Sequence, residues 1–185
     1  MHEQSLQQVP RLVVLISGGG SNLQALIDAI SMGSIDATIE LVISNKVDAL
    51  GLARARKAGI ETRVINHLEF GSREAFDKEL THAIDDKQPD LVVLAGFMRI
   101  FTPQFTHHYH GRMLNIHPSL LPQFKGINTH ERAIEAEVAE HGASVHFVSS
   151  ELDGGPMVLQ ASVSVQSLDS PKVLAARVLV QEHLI

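Results

Sequence analysis

Residues 12–30 have the sequence LVVLISGGGSNLQALIDAI, which decides the fold class of this chain. A run of apolar residues is followed by a glycine-rich turn and then by apolar residues at helical spacing. This is the pattern of a buried strand that leads into a helix. Because strand and helix patterns continue to alternate from Arg11 onward, the sequence predicts a single α/β domain with a mostly parallel, twisted sheet and helices on both faces.

Later segments give the expected order of the remaining elements. Further strands are expected at residues 39–43, 62–65, 91–95, 113–117, 143–148 and 158–165. Helices are expected at residues 48–58, 73–86 behind a Ser72 cap, 103–111 behind a Thr102 cap, 129–140 before a stop at Gly142, and from Pro171 behind Ser170 through to Ile185. No helix separates the last two strands, so an antiparallel edge is expected near the C-terminus.

Composition restricts the class of protein. The chain has 185 residues, of which 44% are apolar and 19% charged, and it shows no internal repeat or linker. One domain is therefore expected over residues 11–185, behind a polar extension at residues 1–10. The absence of cysteine excludes disulfides and thiolate chemistry. A net charge of -6, with neither a secretory signal nor a membrane span, predicts a cytoplasmic protein that binds small molecules rather than nucleic acid or a membrane.

Gly18, Gly19 and Gly20, followed by Ser21 and Asn22, lie between the first strand and the first helix. Free backbone N–H groups and the helix dipole form an anion site at such a position, and a phosphate group is its natural ligand. Neither the dinucleotide fingerprint nor the Walker A sequence is present, so neither NAD nor a nucleoside triphosphate is supported. The alternative is a tight turn without a ligand.

Asn115 and His117 lie two residues apart at the end of an expected strand, which Pro118 terminates. This spacing places both side chains on one face of the strand. Ligands of open α/β sheets bind at the carboxyl ends of strands, and imidazole is the commonest proton-transfer group near neutral pH. The pair therefore predicts a catalytic site, with a capped turn and a hydrogen-bonded histidine as the alternative.

Asp153 lies in the segment ELDGGP, residues 151–156, which follows another expected strand. An aspartate beside His117 would stabilise the protonated imidazole, and the paired glycines would let the backbone pass close to a ligand. A plain turn is the alternative.

His107, His108 and His110 form the densest histidine cluster. They fall near the end of a short helix, where cations interact favourably with the helix dipole. No carboxylate or cysteine lies near them in sequence at ligand spacing, so a structural role is favoured and no metal is expected.

Four segments in one order resemble the folate-dependent phosphoribosylglycinamide formyltransferases, also called GAR transformylases. They are ISGGGSNLQA at residues 16–25, AGFMRI at 95–100, NIHPSLLP at 115–122 and ELDGGP at 151–156. The resemblance covers nearly all of residues 11–183. It implies a Rossmann-like formyltransferase fold and transfer of a formyl group from 10-formyltetrahydrofolate to the amine of 5'-phosphoribosylglycinamide in purine (IMP) biosynthesis.

The resemblance also implies roles for individual residues. Asn115, His117 and Asp153 match the catalytic trio, in which Asn115 and His117 stabilise an oxyanion and Asp153 keeps His117 protonated. The substrate-binding residues would be Gly20, Ser21 and Asn22 for the phosphate and Glu182 for the ribose hydroxyls. The folate-binding residues would be Arg73, Met98, Arg99, Ile100, Phe101, Asn115, Ser149, Ser150, Glu151, Leu152 and Asp153.

Some positions depart from the family pattern. Asn128 stands where the family usually has a histidine, which puts a supporting role of that position in doubt because an amide carries no charge. Family members generally continue beyond the equivalent of Ile185, so the domain is expected to be short at its C-terminus, with Glu182 close to a free end. The resemblance further implies a cis bond between Leu121 and Pro122, and either a monomer or a homodimer.

Three rival functions stay open. A formyltetrahydrofolate hydrolase would use the same trio but is expected to carry an N-terminal regulatory domain. A methionyl-tRNA formyltransferase would need a further C-terminal domain and a basic RNA-binding surface. A non-catalytic folate- or phosphate-binding module would not need the trio intact.

Overall fold

The computed structural model describes residues 9–185, so most of the expected extension at residues 1–10 lies outside the described part of the chain. No helix within the described part is both long and apolar enough to cross a membrane. The strands are β1 Arg11–Ile16, β2 Thr38–Ser44, β3 Thr62–Val64, β4 Leu91–Leu94, β5 Met113–His117, β6 Glu140–Phe147 and β7 Met157–Ser164. The α-helices are α1 Ser21–Ser31, α2 Leu50–Lys57, α3 Arg73–Asp85, α4 Pro103–His108, α5 Thr129–Glu135 and α6 Pro171–Glu182.

The strands form one sheet in the order β3-β2-β1-β4-β5-β6-β7. Strands β3, β2, β1, β4 and β5 are parallel, whereas β6 runs antiparallel to both of its neighbours. The predicted α/β fold class, with an antiparallel C-terminal edge, is confirmed. Strand β1 lies near the centre of the sheet and β4 pairs beside it, so the connections that follow β1 and β4 emerge next to each other.

Helices cover both faces of the sheet. Because successive side chains of a strand point to opposite faces, alternate residues of β1 belong to different cores. Val13 and Leu15 pack in a cluster with buried residues of α3 and α4, including Phe76, Leu80 and Phe105. Val14 and Ile16 pack with residues of α1 and α2, including Leu23 and Leu52. A third cluster, comprising Ala133, Ala143, Val163, Leu174 and Val178, joins α5 and α6 to β6 and β7.

Three helices begin at the caps expected from the sequence. The hydroxyl of Ser72 accepts a hydrogen bond from the Ala75 N–H, and Thr102 caps α4 in the same way. Ser170 caps α6. Each hydroxyl satisfies one of the N–H groups that the first turn of a helix leaves unpaired.

Three helix ends differ from the expectation. Helix α5 stops at Glu135 instead of Glu140, and Glu137 adopts a left-handed conformation with φ of 50°. Helix α4 ends at His108 rather than at Gly111, and α6 ends at Glu182 rather than continuing to Ile185.

Gly142 does not stop a helix, as the sequence suggested, but lies inside β6. A Cβ atom at this position would lie 2.0 Å from the carbonyl oxygen of Ala161 in β7. The glycine is therefore needed for the close approach of two strand backbones.

Candidate active site

The site lies where the connection after β1, the segment after β4 and the end of β5 come together. Asp153, from the loop after β6, reaches the same place and lies between two imidazoles. Its Oδ2 atom is 3.4 Å from Nδ1 of His117, and its Oδ1 atom is 3.7 Å from Nε2 of His146. Oδ2 also accepts the Gly126 N–H at 2.8 Å. The expected meeting of His117 and Asp153 is thus present in the structure.

The carboxyl group of Asp153 is nearly inaccessible, with 8% of its side chain exposed. Burial acts to raise its pKa, but the contacts with His146, the Gly126 N–H and His117 outweigh that effect, so the pKa of Asp153 is lowered. Asp153 is therefore an anion at neutral pH and provides negative charge to both imidazoles.

Both ring nitrogens of His117 face oxygen acceptors. Nε2 is 3.0 Å from the carbonyl oxygen of Phe124, and Nδ1 faces Asp153. A neutral imidazole has one N–H and can donate to only one of these oxygens, whereas an imidazolium can donate to both. The carboxylate of Asp153 thus places negative charge beside Nδ1 of His117. In this arrangement Nε2 is engaged by the Phe124 carbonyl and does not point to an open pocket.

Asn115 lies directly opposite His146 in the β5–β6 pair. Its Nδ2 atom is 3.1 Å from Nε2 of His146, and Nδ1 of His146 is 2.9 Å from the Phe147 carbonyl oxygen. Nε2 of His146 therefore lies between the Asn115 amide and Oδ1 of Asp153: without a hydrogen it accepts from the amide, and with one it can donate to the carboxylate. The amide of Asn115 has a second hydrogen, which stays available for a ligand.

His146 was missed by the sequence reasoning. A histidine between the apolar residues Val145 and Phe147 was the only local signal. Its position opposite Asn115 depends on the pairing of β5 with β6, which local sequence does not give.

A pocket opens beside Asn115 between the segment after β4 and the loop after β6. It brings together most of the residues expected to bind folate, namely Arg99, Ile100, Phe101, Asn115, Ser149, Ser150, Glu151, Leu152 and Asp153. Leu94, Phe97, Thr106, His146 and Val148 complete the lining and were not expected. The apolar walls and polar rim suit a flat heteroaromatic ring with hydrogen-bonding edges.

Two of the expected folate residues do not line this pocket. Met98 is 69% exposed, and its backbone N–H donates to the hydroxyl of Ser17. Arg73 is the first residue of α3, which packs on one face of the sheet beside α4. Any contact of these two residues with a ligand lies outside the pocket lining.

The glycine loop, residues 18–22, leads from β1 into α1 and contacts α2. Gly20 has φ of 69°, and a Cβ atom there would lie 2.6 Å from the Gly51 Cα. The Gly18 carbonyl accepts the Gly51 N–H, and the Gly19 carbonyl accepts Nε of Arg54 at 2.9 Å. Because N–H and C=O point in opposite directions across a trans peptide, the N–H groups of Gly19 and Gly20 point away from these donors. This arrangement leaves donors free for an anion.

Glu182 lies beside the glycine loop. The Nδ2 atom of Asn22 donates to Oε2 of Glu182 at 2.7 Å, so the end of α6 and the start of α1 are joined. The structure therefore brings the expected phosphate and ribose residues together.

A pair of histidines lies close to His117 on the side of α5. Nε2 of His141 is 3.2 Å from Nδ1 of His130. Burial, followed by the nearby His130 and His117, lowers the pKa of His141 to about 4, and burial and His117 also lower the pKa of His130. Both are therefore neutral at pH 7, and neither was expected from the sequence.

Asn128 is exposed at the start of α5, with φ of 56° and no side-chain hydrogen bond to the helix. Asparagine adopts this left-handed conformation more readily than most residues.

Comparison with known proteins shows the family. Residues 10–185 match the formyl transferase family model. The chain is 59% identical over 174 residues to phosphoribosylglycinamide formyltransferase of Escherichia coli. The aligned residues cover 94% of this chain and 82% of that protein. The chain belongs to the phosphoribosylglycinamide formyltransferase family.

Other members of the formyltransferase family agree with this assignment. The chain is 49% identical over 175 residues to the trifunctional purine biosynthetic protein adenosine-3 of Homo sapiens, covering 95% of this chain and 17% of that protein. The solved phosphoribosylglycinamide formyltransferase of Coxiella burnetii matches with a TM-score of 0.92 and 52% identity, covering 96% of this chain and 83% of that one. These relatives confirm the predictions of a formyltransferase enzyme and of a place in purine biosynthesis.

Proposed function

We propose that this formyltransferase moves the formyl group of 10-formyltetrahydrofolate to the amine of 5'-phosphoribosylglycinamide, giving N-formyl-phosphoribosylglycinamide. The observation that carries the proposal is the position of Asp153, in contact with His117 and His146 beside the amide of Asn115. An amide donor and a carboxylate in contact with two imidazoles thus line the pocket, which is an arrangement that can stabilise the charge formed in acyl transfer to an amine.

The folate would occupy the pocket beside Asn115. Its pterin ring would lie between the apolar walls, with polar edges facing residues 99–101 and 149–153. The exposed Met98 and Arg73 would contact the part of the folate outside the pocket, where the guanidinium of Arg73 suits a carboxylate. The family's use of formyl-folate supports this choice of donor.

The phosphate of the second substrate would bind the free N–H groups of the glycine loop at Gly20, Ser21 and Asn22. The carboxylate of Glu182 would accept hydrogen bonds from the ribose hydroxyls. The hydrogen bond between Asn22 and Glu182 supports this assignment, because it holds the phosphate and ribose residues at a fixed spacing.

The chemistry follows from what amine attack on a formyl carbon demands. Attack forms a C–N bond and places negative charge on the formyl oxygen. The free amide hydrogen of Asn115 would donate to that oxygen, and removing one such donor typically costs about 3–4 kcal/mol of barrier height. The positive charge of His117, maintained by Asp153, stabilises the same oxygen. For a direct hydrogen bond, Nε2 of His117 must exchange the Phe124 carbonyl for the oxyanion.

Breaking the bond between the formyl carbon and N10 completes the transfer. The amine loses a proton and the leaving N10 gains one, through His117 or an ordered water. No covalent enzyme intermediate is needed.

The test is formyl transfer by the purified chain. The loss of 10-formyltetrahydrofolate would be followed with and without 5'-phosphoribosylglycinamide. Loss that depends on the second substrate supports the proposal. Loss without the second substrate indicates a hydrolase, and no loss in either mixture contradicts formyl transfer.

The enzyme would act in the cytoplasm on small molecules, without a metal, nucleic acid or membrane partner, as a monomer or a homodimer. The net charge of -6 supports small-molecule partners over nucleic acid.

A further inference from the structure

The segment at residues 95–102, between β4 and α4, forms one wall of the pocket without regular secondary structure. Its backbone N–H groups therefore need partners from elsewhere. Two of them donate to side chains of distant elements. The Met98 N–H donates to the hydroxyl of Ser17 at 2.8 Å, and the Thr102 N–H donates to Oδ2 of Asp77 at 2.7 Å. The two bonds hold the two ends of residues 98–102 within this wall.

Ser17 is fixed by its own partners. It directly follows β1, is 5% exposed, and its hydroxyl donates to Oδ1 of Asn45 at 2.6 Å. Asn45 is itself buried, and its Nδ2 atom is 3.2 Å from Nδ1 of His67. Because the hydroxyl hydrogen is used by Asn45, the oxygen presents a lone pair to Met98. The Ser17 N–H also donates to the Gly96 carbonyl.

Asp77 is a buried carboxyl group on α3, 4% exposed, and burial raises its pKa. Its Oδ1 atom has no hydrogen-bond partner within residues 9–185. A buried carboxylate with incomplete partners is unfavourable for folding, so stability alone does not account for the residue. The hydrogen bond from the Thr102 N–H gives Asp77 a role, because Thr102 is the last residue of the pocket wall and also caps α4.

We propose that Ser17 and Asp77 are positioning residues that hold the wall at residues 98–102 in the shape that binds the folate. Neither residue lines the pocket, and the resemblance implies no role for either of them. The inference rests on the proposed function for the identity of the ligand. Within residues 9–185 the side-chain hydrogen bond of Asp77 goes to the folate wall, whereas Ser17 also adjoins the glycine loop.

The test compares Asp77→Ala, Asp77→Asn and Ser17→Ala with a matched control, Asp85→Asn. Asp85 lies on the same helix as Asp77, but it contacts His108 and Tyr109 and not the pocket wall. KM for both substrates and kcat would be measured, together with calorimetric binding of tetrahydrofolate. Asp77→Ala should raise KM for 10-formyltetrahydrofolate about 10-fold or more, with KM for the second substrate within about 2-fold.

The remaining variants separate positioning from general damage. Asp77→Asn keeps an acceptor oxygen, so its KM for 10-formyltetrahydrofolate should stay within about 3-fold of the wild-type value. The KM of Asp85→Asn should stay within the same range. Ser17→Ala should weaken folate binding like Asp77→Ala. Unchanged folate binding in folded Asp77→Ala and Ser17→Ala would overturn the inference, as would an Asp77→Asn variant as weak as Asp77→Ala. If Asp77→Ala fails to fold, the tetrahydrofolate affinities of Ser17→Ala and Asp77→Asn still test the inference.

The calorimetric measurement distinguishes this inference from the proposed function. A wild-type chain that binds tetrahydrofolate but transfers no formyl group contradicts the reaction alone. Weaker tetrahydrofolate binding by Ser17→Ala would then still support the positioning role. A wild-type chain that does not bind tetrahydrofolate would contradict both.

Discussion

Asn22 donates its side-chain amide to Glu182 at 2.7 Å, although the two residues are 160 positions apart in the sequence. This bond joins the glycine loop to the end of the last helix. Recognition of the phosphate and of the ribose is therefore expected to depend on one hydrogen-bonded unit.

Replacement of Glu182 by alanine should weaken binding of 5'-phosphoribosylglycinamide about 10-fold, because the carboxylate holds Asn22 and, in the proposed function, would also contact the ribose. Binding of tetrahydrofolate should not change. Calorimetric titration of each ligand measures the two effects. Glu135→Ala removes an exposed carboxylate from α5 and serves as the control. Equal affinity of Glu182→Ala and wild type for 5'-phosphoribosylglycinamide would rule out the ribose contact.

His117→Ala and Asp153→Asn should each lower kcat by at least about 100-fold, because the oxyanion loses its cation or the group that maintains it. Steady-state turnover under saturating substrates measures the loss. His108→Ala and Asp85→Asn remove a comparable pair at the surface, with 2.8 Å between Nε2 and Oδ2, and should keep normal turnover. Near-normal turnover of both site variants would contradict the mechanism.

Gly20→Ala should lower the free energy of unfolding by about 1–3 kcal/mol, since alanine is strained at positive φ and its methyl group meets the Gly51 backbone. Gly19→Ala is the matched control, because a Cβ atom there has nothing within 4 Å. Denaturant titration of both variants gives the comparison. Equal stability of the two variants would show that the loop accommodates a side chain at either position.

Stability should fall as the pH is lowered from about 6.5 toward 4. The pKa of His141 is lowered from 6.5 to about 4 in the folded chain, with burial as the main cause. Between these values the unfolded chain binds the proton and the folded chain does not, so acid favours unfolding by roughly 2–3 kcal/mol. Denaturant titrations at pH 7, 6 and 5 test the slope, and NMR titration of His141 tests its origin. A histidine that titrates near 6.5 would refute this account.

The parallel part of the fold was predictable because its signals are local. Buried strands such as Leu91–Leu94 are continuous apolar runs, and Ser72, Thr102 and Ser170 mark helix starts. The predicted end of α5 was wrong because Glu137 and Glu140 are good local helix formers, whereas the backbone at Glu140–Phe147 pairs with β5 and β7. Tertiary pairing overrode local preference there.

The residues of the candidate site also divide into those predictable from local sequence and those that depend on distant contacts. Asn115, His117 and the glycine loop follow strands, so their positions could be predicted from sequence. His146 and Asp77 were missed because the role of each depends on a contact with a residue distant in sequence. His146 contacts Asn115, and Asp77 accepts a hydrogen bond from Thr102. Arg73 and Met98 were expected from resemblance alone, and they lie outside the pocket lining.

Ser17 belongs to both halves of the site, because it immediately precedes the glycine loop and its hydroxyl holds the Met98 N–H. The Ser17 N–H also donates to the Gly96 carbonyl, so two hydrogen bonds join the start of the glycine loop to the segment at residues 95–102. We therefore expect the two substrates to bind cooperatively. By thermodynamic linkage the effect is reciprocal: whatever factor the bound phosphate contributes to folate affinity, the bound folate contributes to phosphate affinity.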